Sequence, residues 1–142
     1  MDLAKKVVDK MMGGDAFSQW LGIEVLEITS GFCKLQMTVR KEMTNGFKIA
    51  HGGITYSLAD SCLAFAANSY GRQAVSIETR ICHLHKVMSG DTLTVVSKED
   101  SLGCKTAKYT INITNQKNTK VALFRGTVLF TGKDWFTKNL KL

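Results

Sequence analysis

Apolar residues recur along this chain with two different periods, and the changes of period mark out its elements. Leu3, Val7, Val8 and Met11 fall at helical spacing and stop at Gly13-Gly14. Phe17, Trp20 and Leu21 predict a short second helical turn ending near Gly22. From there the alternation is by two. Residues 22–29 and 32–40 read as a hairpin about Ser30-Gly31, with Cys33, Leu35, Met37 and Val39 on one face. A polar loop over 41–52 follows, and then Ile54, Leu58, Cys62, Phe65 and Ser69 return to helical register. They predict a helix from about 53 to 69, with Gly71 just past its end. Val75, Ile77, Thr79, Ile81, His83, His85 and Val87 next alternate along one long strand, ended by Gly90-Asp91. Further strands are expected at about 92–101, 105–114 and 119–131, with turns at Leu102-Gly103 and Asn115-Gln116-Lys117-Asn118. In the last of them Val121, Leu123 and Arg125 share one face, and Ala122 and Phe124 the other.

Two strands, one long apolar helix and four more strands make an α+β chain, read as one domain over 1–142 with short helices in 1–21. One helix cannot cover both faces of a six-stranded antiparallel sheet. It is expected on one concave face with the sheet wrapped around it, and the remaining edges or face then call for self-association.

Composition narrows the function classes only a little. No apolar run approaches the ~18–20 residues of a membrane span, and Met1-Asp2-Leu3-Ala4-Lys5-Lys6 lacks the apolar core of a signal peptide. A cytoplasmic protein without membrane attachment is expected. Cys33, Cys62, Cys82 and Cys104 contain no C-x-x-C spacing and read as free, buried thiols. Nineteen Lys and Arg against twelve Asp and Glu leave a net charge of +7. The basic residues are scattered and not interleaved with aromatics, so a nucleic-acid partner is not expected. A small polyphosphate ligand, or a simple solvated surface, accounts for the charge.

The chemistry concentrates between Asn45 and Asp60. A loop ending in His51-Gly52-Gly53 runs into the apolar helix, whose one carboxylate is Asp60. Gly-Gly at a helix start exposes N–H groups that no intrahelical carbonyl satisfies, which favours an oxyanion. A carboxylate among Leu58, Ala59, Cys62, Leu63 and Ala64 is expensive to bury unless it is used. The pair predicts an oxyanion site with a general base. Each residue also has a plainer reading. Gly52 and Gly53 can serve a tight turn, Asn45-Gly46 is a common turn dipeptide, His51 can cap the helix, and Ser76 can be an ordinary strand residue. His83 and His85, two apart, could suggest zinc, but no third ligand is evident and a structural or pocket-lining role is the commoner one. Cys62 has no base partner that would make it a nucleophile.

The ordered set Asn45-Gly46, His51-Gly52-Gly53, Ser57-Leu58-Ala59-Asp60, Phe65-Ala66-Ala67-Asn68-Ser69, Gly71, Gly90-Asp91-Thr92-Leu93 and Val121-Ala122-Leu123-Phe124-Arg125-Gly126 resembles the PaaI-type acyl-coenzyme A thioesterases of the hotdog superfamily. The resemblance spans about residues 20–130. It implies a hotdog fold and hydrolysis of a CoA thioester, with aryl-acetyl or medium-chain acyl groups. It implies no cofactor and no metal beyond the CoA of the substrate, and a dimer of dimers. It further implies Asp60 as general base or nucleophile, the Gly52 and Gly53 amides on the thioester carbonyl, and Asn45 orienting water or substrate. His51 would support the loop or the leaving sulfur, and Ser76 would lie near the carboxylate. His83-Leu84-His85-Lys86, Gly103-Cys104-Lys105 and Gly14-Asp15 depart from the family pattern and bear on acyl preference.

Spacing adds one expectation of its own. Gly53 and Asp60 lie roughly 10 Å apart on one helix, farther than two groups acting on one reacting centre. The site is therefore expected to combine two chains, with antiparallel helices crossing a homodimer interface. The competing readings are a hotdog hydratase or dehydratase, which would want a His on the helix, and a non-catalytic acyl-CoA-binding module.

Overall fold

The protein is described here from a computed structural model, over residues 2–136. Two helices come first, α1 (Leu3–Gly14) and α2 (Ala16–Leu21), followed by the hairpin β1 (Glu24–Thr29) and β2 (Phe32–Thr38). A short 3-10 turn at Lys41–Met43 lies in the loop before helix α3 (Gly52–Asn68). Strands β3 (Arg72–His83), β4 (Thr92–Leu102), β5 (Thr106–Thr114) and β6 (Lys120–Asp134) complete the chain. All six strands form one antiparallel sheet in the order β1-β2-β4-β5-β6-β3, so β1 and β3 are its edges.

The sheet curls round α3, as the period-two pattern requires. Across it, Ser97, Ile111, Phe124 and Ile81 are register partners in one row, and Val95, Ile113, Ala122 and His83 form another. Onto these rows α3 lays Leu58, Ala59, Cys62, Leu63, Phe65 and Ala66, all essentially without solvent contact. Gly126 is needed at its place, because a Cβ there would run into the Leu63 side chain. The α1 residues Ala4, Val7 and Val8, set at helical spacing, are buried, and Val8 joins the same core. The α+β hotdog architecture is the one expected.

Three expectations need correction. Strand β3 ends at His83, so His85 and Val87 are not in it. Its pairing with β6 ends at His83 and Ala122, although β6 itself reaches back to Lys120. Leu84 and His85 both donate to the Val121 carbonyl instead. The alternation along β3 also changes phase. Ser76 pairs with Val128 and Glu78 with Thr127, so Ile77 is an extra residue in a bulge. A one-residue insertion flips every side chain beyond it. Thr79, Ile81 and His83 face α3, whereas Val75 and Ile77 are 52% and 57% exposed. Finally, all four thiols are free, but only Cys33 and Cys62 are buried, while Cys82 and Cys104 are exposed.

Candidate active site

The loop before α3 is a closed ring of backbone bonds. Asn45 N–H donates to the Ile49 carbonyl at 2.8 Å, His51 N–H to Met43 at 2.8 Å, and Ala50 N–H to Val87 at 2.8 Å. Lys48 takes the left-handed conformation that lets the chain reverse, at φ 61°. The Asn45 side chain braces this turn, its Oδ1 accepting from Phe47 N–H at 3.0 Å and Ile49 N–H at 3.4 Å. Its amide N–H groups have no partner among the described residues.

The loop delivers the chain into α3 with His51 as N-cap. His51 Nδ1 accepts from Gly53 N–H at 2.9 Å, and Ile54 N–H bonds the His51 carbonyl at 2.9 Å. Among the described residues no acceptor meets Gly52 N–H. The two glycines expected to act together are thus inequivalent: the Gly53 donor is spent on the cap and the Gly52 donor is open. A Cβ at Gly52 would stand 3.2 Å from His83 Nε2, close enough that the ring would have to give by a few tenths of an ångström.

That contact identifies a residue whose place the sequence pattern did not give. His83, weighed above as a zinc ligand or pocket lining, lies against the helix start from the end of β3. His85 lies past the strand, its Nδ1 on the Lys86 carbonyl at 2.8 Å. The two histidines therefore do not share a strand face. Among the described residues no group of three His, Cys, Asp or Glu is placed to hold a metal. The available signal was parity: once Thr79 and Ile81 face the helix, His83 must too.

Asp60 stands two turns further along α3. The helix is sealed on its sheet side, but Gly53, Tyr56, Ser57, Asp60, Ser61 and Ala64 form a stripe that is not fully buried. Tyr56 is fixed in it by a hydrogen bond to Thr79 and by edge-on packing against Phe124, with ring centroids 5.1 Å apart. Ser57 Oγ returns to the Gly53 carbonyl at 2.6 Å, and Ser61 Oγ meets Ser18 Oγ at 2.7 Å. Asp60 itself has no hydrogen-bond or ionic partner among the described residues. Partial burial, with no cation to offset it, pushes its carboxyl above the ordinary aspartate value. Cys62, two residues on and facing the core, is an unsuitable nucleophile: it is buried, donates to the Cys33 carbonyl, and burial pushes its thiol well up. Ser76 sits on edge strand β3, exposed, opposite Val128 and so on the sheet's helix side.

Two hollows open at the helix start, each of about 370 Å³ and within the usual ~300–1,000 Å³ of small-molecule sites. Consecutive helical residues point about 100° apart, and accordingly Gly52 lines one hollow while Gly53 lines the other. The first mixes the polar side chains of Asn45, Thr55, His83, His85 and Lys86 with the apolar ones of Ile49, Leu84 and Val87. The second is more apolar, with Phe17, Trp20, Met43 and Ile54 beside His51 and Ser57.

Comparison with known proteins bears on the fold and the family. The model of a family described as the thioesterase superfamily matches residues 47–122, a span that contains Gly52, Gly53, Asp60, Ser76 and His83. A putative esterase of Archaeoglobus fulgidus is 37% identical over 133 residues, covering 94% of this chain and 86% of the relative. The acyl-coenzyme A thioesterase PaaI of Escherichia coli K12 is 41% identical over 116 residues, covering 82% and 83% of the two chains. The structure of the E. coli PaaI protein from the phenylacetic acid degradation operon superposes with a TM-score of 0.90, covering 92% of this chain and 95% of that one. A Streptococcus mutans protein bound to acetyl CoA superposes with a TM-score of 0.76 at 27% identity, covering 79% and 90%. A family model over residues 47–122, this depth of identity and a superposition over nearly the whole chain lead to one conclusion: the chain belongs to the thioesterase superfamily, in its PaaI-type hotdog branch, and is a thioester hydrolase.

Proposed function

We propose that this enzyme hydrolyses acyl-CoA thioesters, with Asp60 as general base and Gly52 N–H as the principal donor to the thioester carbonyl oxygen. The observation that carries the reading is a pair of unspent groups: a half-buried carboxylate without a partner and a helix-N-terminal N–H without an acceptor. Asp60 takes a proton from water, and the hydroxyl oxygen attacks the thioester carbon. The carbonyl oxygen gains charge against Gly52 N–H and the positive end of α3. As the carbonyl re-forms, the carbon–sulfur bond breaks and the CoA thiolate leaves, taking back a proton. Asn45, with its Oδ1 committed to the loop, offers its N–H groups to water or substrate. His51 acts through Gly53 by holding the helix start in place, and Ser76, on β3, serves as a substrate contact near the carboxylate. CoA as the thiol is supported by the E. coli relative's name and by the acetyl CoA held in the S. mutans structure.

Gly52 and Asp60 are eight positions apart on α3, about 12 Å at 1.5 Å per residue. We infer that one chain supplies Gly52 and Asn45 and a second supplies Asp60, in a homodimer whose α3 stripes meet antiparallel. Edge strand β3, with Val75 and Ile77 exposed, supports an interface on that side. The dimer of dimers belongs to the same proposal.

The test is thiol release from a panel of CoA esters. Wild type should hydrolyse phenylacetyl-CoA or hexanoyl-CoA, and Asp60→Asn should lower kcat by ~10²–10⁴ with a far smaller change in KM. A variant that keeps more than about a tenth of wild-type kcat removes Asp60 from the role of base.

A further inference from the structure

Helix α2 is only six residues long, yet it is fastened at both ends and in its middle. Asp15 caps it, accepting from Ser18 N–H at 2.9 Å and Ser18 Oγ at 2.7 Å. Ser18 Oγ in turn meets Ser61 Oγ, next to Asp60. At the other end Arg40 donates to the Trp20 carbonyl at 2.7 Å and the Leu21 carbonyl at 3.2 Å, and Glu42 holds Arg40 at 2.7 Å. What this platform presents is two aromatic rings. Phe17 and Trp20 stack 10° from parallel with centroids 6.0 Å apart, and the Arg40 guanidinium lies 4.9 Å over the indole. They remain 52% and 48% exposed. A fixed, half-exposed aromatic pair has an entropic cost already met and an apolar surface still unfilled.

The rings line the hollow that also contains His51, Gly53 and Ser57, so this apolar surface runs up to the helix start where the thioester carbonyl is placed. We propose that the Phe17–Trp20 pair is the seat of the acyl group and sets the preference for bulky apolar acyl chains. The inference rests on the thioesterase reading above. The mixed hollow lined by Asn45, Gly52, His83, Leu84 and Lys86 then takes the pantetheine limb of CoA, itself part amide and part alkyl, on the other flank of the same carbonyl. On this placement an acetyl group makes the least contact with the rings, whereas a hexanoyl or phenylacetyl group rests on them.

The experiment compares wild type, Trp20→Ala, Phe17→Ala and Trp20→Phe with acetyl-CoA, hexanoyl-CoA and phenylacetyl-CoA. Each Ala variant should lose roughly tenfold to a hundredfold in kcat/KM for the two larger esters, mainly through KM. The loss on acetyl-CoA should be several times smaller, and Trp20→Phe should keep most of the preference. A second arm does not depend on the Trp20 and Phe17 variants folding. In a Trp135→Phe background Trp20 is the remaining tryptophan, and its fluorescence should change when a non-hydrolysable phenylacetyl-CoA thioether binds but not when CoA alone does. Equal losses across the panel, an unchanged ester preference, or fluorescence indifferent to the acyl group would each overturn the seat. A wild type that cleaves no ester overturns the thioesterase reading instead, and the fluorescence arm still decides where the acyl group lies.

Discussion

Glu99 and Asp60 are both partly withdrawn from water, Glu99 on the inner face of the sheet and Asp60 on the open stripe of α3, and they are treated in opposite ways. Glu99 on β4 accepts from Tyr70 at 2.7 Å and from Tyr109 at 2.9 Å through one oxygen. It stands in the row with Tyr109, Gly126 and Thr79. Burial, with Glu99 adding to it, pushes the Tyr70 phenol up to about 12 and the Tyr109 phenol higher still. Both tyrosines thus stay protonated donors, and the cluster ties β4 and β5 to the end of α3. Asp60 has none of this. A buried polar group with its partners supplied is architecture; one left without them costs stability, and the cost makes sense where the group reacts.

The sharpest way to break this contrast is to ask whether Asp60's counterpart lies in a second chain. Asp60→Ala and Asn45→Ala are each expected to be nearly dead. Unfolded together in equal amounts and refolded, they should recover about a quarter of wild-type activity, because in an isologous dimer each shared site draws one intact residue from each chain with even chance. Asn45 and Gly52 line the same hollow, so they travel as one half-site. A mixture no more active than its components would return both half-sites to a single chain.

Stability should separate the two carboxylates next. Glu99→Ala leaves the Tyr109 hydroxyl, on a side chain 1% exposed, without its acceptor. It should cost about 1–3 kcal/mol of unfolding free energy, with kcat little changed. Asp60→Asn should cost nothing in stability while removing activity. Denaturant melts of both variants at one pH and one protein concentration make the measurement. A destabilised Asp60→Asn, or an Asp60→Asn and Glu99→Ala pair that fall together, would put Asp60 in the architecture.

The sequence carried most of the frame and the less regular parts escaped it. Alternation at Cys33, Leu35 and Met37 and helical spacing at Leu58, Cys62 and Phe65 gave strands and helix, because each residue's burial is set by its own periodicity. The β3 bulge at Ile77 did not show, since an inserted residue looks like any other until its pairing partner is known. Asp60 was legible as a lone charge on an apolar helix. The inequivalence of Gly52 and Gly53 was not, because it turns on where the His51 ring goes after it leaves the backbone. His83 reached the site as the last paired residue of β3, opposite Ala122.

The smallest expected effect is in pH, and it links the two halves of the contrast in one residue. The folded Asp60 pKa is raised, and its cause is desolvation. A general base works only when ionised, so kcat/KM should fall as pH falls through that raised value. The acid limb should lie above the ~3.9 of an unperturbed aspartate. Stability must run the other way. Because the folded pKa exceeds the unfolded one, the folded state favours the protonated acid. Its contribution to stability is complete below the unfolded pKa and is lost as pH rises through the folded pKa. Asp60→Asn has no charge to bury, so its Tm advantage over wild type should grow across that same window and stay level above it. The activity limb and the Tm difference then report one pKa by two routes. An acid limb at the ordinary aspartate position, or a Tm difference that does not change with pH, would mean that Asp60 is wet and that its isolation in the fold carries no chemistry.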